Sequence, residues 1–246
     1  MHRYQILVEY LGTKFIGWQK QLKGRSIQKE IEKTISKLLK QKIIIYGSGR
    51  TDSGVHALEQ SAHFDSKFKI QDIRKLIKSM NFFLNKKNIS IINIYKRQKK
   101  FHARFSAKER EYKYIILNRN SPPILDKYKV WHIRSKLDLK VLKKASKKLI
   151  GKHNFNAFRS ANCQANTSIR TLKKIKITKK NEKIMFVLRS QSFLKNQVRS
   201  IIGCLKYVGE NKWKIKDLEK VLKSKNRKYC APPAPACGLY LEKIIY

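Results

Sequence analysis

The stretch Gly47-Ser48-Gly49-Arg50-Thr51-Asp52-Ser53-Gly54-Val55-His56-Ala57 follows the apolar run Ile43-Ile44-Ile45-Tyr46 and sets one carboxylate among three glycines and an arginine. Its glycines invite a phosphate-loop reading, which fails. Gly49 and Gly54 have the right separation, but Val55-His56 stands where Lys and Ser or Thr must follow. A dinucleotide fingerprint fails too, because Asp52 occupies the place of its third glycine. What remains is a sharp strand-to-loop turn that presents Arg50 and Asp52 at a surface. From the loop alone, two readings of Asp52 stand side by side: a catalytic carboxylate, or a turn residue that hydrogen-bonds neighbouring amides.

Two further stretches hold groups capable of chemistry. Phe101-His102-Ala103-Arg104-Phe105 and Arg110-Glu111-Tyr112-Lys113-Tyr114 interleave aromatic and basic residues. In a strand, Tyr112 and Tyr114 share a face. There they either stack on unstacked bases, worth roughly 1–3 kcal/mol each, or fill the core beneath the sheet. Phe193-Leu194-Lys195-Asn196-Gln197-Val198-Arg199 starts a helix with an apolar stripe of Leu194, Val198, Ile201, Ile202 and Leu205. Arg199 lies beside that stripe, where a guanidinium can pair with a carboxylate and hold it ionised. Cys163, Cys204, Cys230 and Cys237 form no Cys-x-x-Cys pair and read as reduced thiols, and His63, His132 and His153 read as structural or solvent-facing. No metal site is expected.

The elements that must position these residues follow from periodicity. Residues 3–10 read as a strand, and Ser26 caps a helix with Ile27, Ile31, Ile35, Leu38 and Leu39 inward. Strands at 42–46 and 59–64, a helix over 70–84 and a strand at 89–95 complete a β-α-β-β-α-β order. The order recurs after the basic stretch 97–108: strand 111–117, helix 137–150, strands 170–178 and 183–189, helix 193–208 and strand 239–245. Two split β-α-β units that can join their sheets make an α+β protein with a cleft between halves. The halves are expected at 1–108, carrying the Asp52 loop, and 109–246, completing the site. Residues 226–238, with Pro232, Pro233 and Pro235, must be an ordered loop, because proline lacks the donor that helix and central strand require.

Composition names the partner class. The 246 residues carry 58 Lys+Arg against 16 Asp+Glu, a formal net charge of +42. A polyanion must answer such a field, and nucleic acid is the expected one. No apolar run approaches the roughly 20 residues of a membrane span, and the N-terminus enters a strand directly, so no membrane association and a cytoplasmic location are expected. Only 14 of the basic residues are arginine, which makes each arginine more informative than the many lysines.

In this order, the stretches resemble the tRNA pseudouridine synthase A family over nearly the whole chain. The resemblance rests on Gly12, Gly17-Trp18-Gln19, Gly49 to His56, Phe101 to Ala107, Arg110-x-Tyr112-x-Tyr114, Phe193-Leu194 with Val198-Arg199 and Gly203, and Ala234-Pro235-Ala236-x-Gly238-Leu239-Tyr240-Leu241. It implies two RNA-recognition-like halves with joined antiparallel sheets around a central basic cleft. The implied activity isomerises uridine to pseudouridine at the family's target positions in the tRNA anticodon stem-loop, by a homodimer, without metal or cofactor. Asp52 matches the catalytic aspartate, which attacks C1′ of the ribose or takes the C2′ proton. Tyr112 matches the tyrosine that stacks on the flipped uracil, Arg199 the ion-pair partner of Asp52, and Arg50 the arginine that holds the flipped nucleotide's place. Leu11, Ser48, Ser53 and Glu59 depart from the family pattern without removing any of these groups. The competing reading is a non-catalytic basic RNA-binding or RNA-chaperone protein, with a nucleoside glycosidase as a weaker third.

Overall fold

The first strand, β1 (His2–Tyr10), buries Tyr4, Ile6, Val8 and Tyr10, the period-two pattern of a pleated strand against a core. The computed structural model describes residues 1–246, which divide into two units, Met1–Lys108 with Tyr240–Tyr246 and Glu109–Leu239. After β1 come α1 (Ile27–Leu38), β2 (Tyr46–Gly47), β3 (His56–Ser66), α2 (Ile73–Leu84) and β4 (Ile89–Arg97). Then follow β5 (Glu109–Asn118), β6 (Trp131–Ile133), α3 (Leu139–Lys147), β7 (Gly151–Asn154), β8 (Ile169–Lys180), β9 (Lys183–Ser190), α4 (Gln197–Gly209), α5 (Ile215–Ser224) and β10 (Leu239–Ile245). The class is α+β, with mostly antiparallel strand pairing. No helix is long and apolar enough to cross a membrane.

In the first unit, β1 lies between β3 and β4 and is antiparallel to both, with Tyr4 opposite Phe64 and Lys96. The other edge of β3 is shared. β10 runs parallel to its start, at His56 and Ala57, and β2 pairs antiparallel with its later part, at Ala62 and His63. Ser26 caps α1 by accepting the Lys29 N–H at 3.3 Å, and Ile27, Ile31 and Ile35 are wholly buried. Asp72 caps α2, accepting the Lys75 N–H at 2.8 Å, so that helix begins three residues later than the apolar pattern alone predicts.

The expected strand at 42–46 is reduced to Tyr46–Gly47. Side chains of α1 take the backbone groups that a strand partner would have used. Ser36 Oγ accepts the Ile43 N–H at 2.9 Å, Glu32 Oε1 accepts the Ile45 N–H at 3.0 Å, and Gln28 Nε2 donates to the Ile45 carbonyl at 3.1 Å. Ile43 and Ile45 still bury their side chains, so the apolar signal is satisfied without a ladder.

In the second unit, β5, β9, β8 and β7 pair antiparallel in that order, and β6 pairs parallel with β5. Along β9, Ile184, Phe186, Leu188 and Ser190 alternate inward. On β8 the buried positions are Leu172, Ile175 and Ile177; a register shift between Leu172 and Lys174 inserts the extra residue that breaks strict alternation. Asp138 caps α3 through the amides of Lys140 and Val141, which starts it at Leu139 rather than 137. α4 starts at Gln197 rather than 193 because Asn196 adopts a left-handed conformation, φ 64°, and the Gln197 Oε1 accepts the Leu194 N–H at 2.8 Å. The pattern did not predict α5.

Candidate active site

At Gly47 the chain leaves β2, makes the glycine loop and enters β3 at His56, and because β2 pairs with β3 both loop stems belong to one sheet. On the β3 side, the Ser48 N–H donates to Ser61 O at 2.8 Å, the Ser48 hydroxyl to Gln60 Oε1 at 2.7 Å, and Gln60 Nε2 to Gly49 O at 3.0 Å. On the other side, the segment after β1 grips the loop. The Trp18 N–H donates to Thr51 O at 3.1 Å, Gly17 and Asp52 form an antiparallel bridge, and the Ser53 hydroxyl donates to Phe15 O at 3.1 Å. Tyr10 and Thr51 share a buried hydroxyl hydrogen bond of 2.8 Å. Gly17 is required twice over: its φ is 120°, and a Cβ there would sit 2.5 Å from the Thr51 carbonyl oxygen.

The backbone at Asp52 is therefore fixed from both sides, while its side chain stays half-buried. The turn closes through the Asp52 carbonyl, which accepts the Val55 N–H at 3.2 Å. The carboxylate itself caps none of the neighbouring loop amides, which is the contact a pure turn former would make. Arg50, two residues earlier, is exposed.

In the second unit the two tyrosines of β5 part ways. Tyr114 is fully buried, donates its hydroxyl to Pro235 O at 2.8 Å, and burial pushes its pKa well above the usual phenol value. It belongs to the core. Tyr112 is half-buried, paired in register with Leu188 of β9, and its ring meets Phe193 edge-on at 5.2 Å. Shared-face spacing alone could not separate them.

Arg199 sits in the first turn of α4 and is aimed by two acceptors of its own unit. Its Nε donates to Ala234 O at 2.7 Å and its Nη1 to Asn196 Oδ1 at 3.2 Å. The Ala234 N–H returns to Arg199 O at 2.9 Å, so helix and proline loop are laced together at this residue. One turn on, Gly203 lets the loop touch the helix: a Cβ there would lie 2.1 Å from Pro232 O. Asp52 and Arg50 thus belong to the first unit, Tyr112 and Arg199 to the second.

Asn196 and Ala234 are positioning residues that the residue pattern did not single out by role. The signals were an asparagine just before a helix, a place where left-handed backbone is tolerated, and an alanine between prolines. Phe101–Phe105 is likewise anchored. The Ala103 N–H donates to His63 Nδ1 at 3.1 Å, and the Tyr246 hydroxyl donates to Ala103 O at 2.9 Å. His63 is buried, stacked against Tyr46 with centroids 5.2 Å apart, and 4.6 Å from the His102 ring. Burial, with the charges of His102 and Arg3, pulls its pKa from 6.5 to about 4, so it serves as a neutral structural acceptor. Ser48 and Ser53, which depart from the family pattern, each add a hydrogen bond that holds the loop.

A family model described as tRNA pseudouridine synthase matches residues 6–106 and 145–246. A protein named tRNA pseudouridine synthase A from Pelagibacter ubique is 58% identical over 246 residues, all of both chains. Another of that name from Neorickettsia sennetsu is 41% identical over 244 residues, 99% of this chain and all of that one.

Proposed function

We propose a mechanism on one premise: the chain belongs to the tRNA pseudouridine synthase family, and it is an isomerase acting on uridines of tRNA. The reaction breaks the N1–C1′ bond, turns the uracil while it is held, and joins C5 to C1′. The C5 proton is lost and N1 gains one, so no water enters the product. Asp52 is the group that acts on the ribose, either by bonding to C1′ or by taking the C2′ proton on the way to a glycal.

The observation that carries this reading is the loop itself: the backbone of Asp52 is pinned through Thr51, Gly17 and Phe15, while its carboxylate caps none of the loop amides. A residue kept only to close the turn would show the reverse. Positioning of this kind is what converts a weak acid into an efficient reactant at one atom.

Tyr112 stacks on the target uracil once it is flipped out of the helix, and the edge-on Phe193 ring holds Tyr112 in place. Arg199, oriented by Ala234 and Asn196, is the ion-pair partner that aims Asp52. Arg50, exposed beside Asp52, occupies the space the flipped nucleotide leaves. The two units are RNA-recognition-like halves around a basic cleft that receives the anticodon stem-loop. Two copies of the chain share one tRNA, in the cytoplasm. The net charge of +42 supports a broad footprint set by phosphate contacts.

The direct test maps pseudouridine in tRNA incubated with and without the protein. Pseudouridine at the family's anticodon stem-loop positions supports the reading. Binding without modification returns the protein to the RNA-chaperone class, and release of free uracil makes it a glycosidase.

A further inference from the structure

The second unit holds a pair of nucleophilic groups that the isomerisation does not use. The Cys204 and Cys230 sulfurs are 3.4 Å apart, on elements 26 residues apart in the chain. Cys204 lies on the inner face of α4 and is wholly buried, whereas Cys230 is half-buried at the end of the 3₁₀ turn Arg227–Tyr229, where the proline loop begins. Of the pair, only Cys230 is partly exposed.

The surroundings differentiate the two thiols. Arg227 Nη1 donates to Ser200 Oγ at 3.1 Å, which holds the guanidinium over the first turns of α4. The hydrogen bond from Cys204, helped by Arg227, lowers the Cys230 pKa. That same contact, with burial, raises Cys204. A partly exposed thiol beside a cation, with a second, buried sulfur 3.4 Å away, is the arrangement in which one sulfur reacts first and the other resolves the product.

We propose that Cys230 and Cys204 form a peroxide-oxidisable dithiol whose disulfide ties the proline loop to α4. In the first step the Cys230 thiolate attacks one oxygen of hydrogen peroxide, the O–O bond breaks, and a sulfenic acid and hydroxide result. In the second, the Cys204 sulfur attacks the Cys230 sulfur, its proton leaves with the departing hydroxyl as water, and the S–S bond forms. Two thiols lose two electrons and one peroxide becomes two waters. The sulfurs need only close from 3.4 Å to about 2.05 Å. The tie falls between residues already laced by Gly203 against Pro232 and Arg199 against Ala234, so it fixes the loop that aims Arg199.

The test treats the full-length protein with stoichiometric hydrogen peroxide, alkylates the remaining thiols and maps peptides by mass spectrometry. The expected result is a Cys204–Cys230 linked peptide two hydrogens lighter, reversed by dithiothreitol, with Cys163 and Cys237 still alkylated. In Cys204→Ala, Cys230 should accumulate as a sulfenic acid trapped by dimedone; in Cys230→Ala, Cys204 should stay unreacted. A linked peptide involving Cys163 or Cys237, or equal peroxide reactivity of all four thiols, overturns the proposal. None of these readouts depends on pseudouridine formation, so the pair and the proposed mechanism can fail separately.

Discussion

Asp52 and Arg199 are held in opposite ways. At Asp52 the backbone is clamped, by an antiparallel bridge to Gly17, the Trp18 amide on Thr51 and the Ser53 hydroxyl on Phe15, while the side chain is left out of the loop's own hydrogen bonds. At Arg199 the side chain itself is clamped, by Ala234 O and Asn196 Oδ1, on a helix turn whose position is set by burial of Val198, Ile201 and Ile202. A short carboxylate has few rotamers, so fixing its backbone fixes the group. A long guanidinium must be fixed at its tip. The contrast makes separate forecasts for the two regions.

Among changes that leave Asp52 itself in place, the largest effect is expected from reversing charge at the clamped tip. If the proposed ion pair with Asp52 holds, Arg199→Glu should lower kcat by about a thousandfold and Arg199→Gln by clearly less, because only the former replaces the cation with a like charge. Equal losses in single-turnover assays would remove the proposed ion pair. Next comes the clamped backbone. Gly17→Ala must move Thr51 or itself, and a displacement of about 1 Å at Asp52 is worth about a hundredfold in turnover. Wild-type turnover in a folded Gly17→Ala protein would show that the clamp does not position the acid.

Tyr112→Ala should cost roughly ten- to a hundredfold in kcat/KM through lost stacking, whereas Tyr112→Phe keeps the ring and reports only on the hydroxyl. Wild-type kcat/KM in the alanine protein would take the ring out of the site. The smallest effect belongs to the anchor beneath Phe101–Phe105. His63 has a folded pKa of about 4 against 6.5, so the unfolded chain binds the extra proton between those values. Its contribution is complete above about pH 6.5 and is lost as pH falls toward 4. His63→Gln should flatten that part of a urea-unfolding pH profile; an unchanged slope would assign it to other groups.

Much of this was legible in the residues, for identifiable reasons. β1, α1 and β9 each bury one face against a single core, so their apolar periods are clean. Helix starts were misplaced where a polar cap or a left-handed residue decided them, as Asp72, Asp138 and Asn196 do. The 42–46 strand failed because α1 side chains took its backbone bonds, a contact that no local pattern records. α5 escaped because only Leu218 and Val221 are buried in a lysine-rich segment. At the site, motif order picked out Asp52, but the separate fates of Tyr112 and Tyr114 depend on Pro235, a residue 121 positions from Tyr114.

The central claim is that the loop holds Asp52 in order to react. Asp52→Asn keeps the size and backbone of the residue and removes only its charge and basicity. Quantifying pseudouridine in tRNA treated with this variant, beside its tRNA affinity, tests the claim directly. The expected result is no detectable pseudouridine with affinity within about twofold of the parent, because phosphate contacts set most of the binding. Pseudouridine made at a rate comparable to the parent would contradict it.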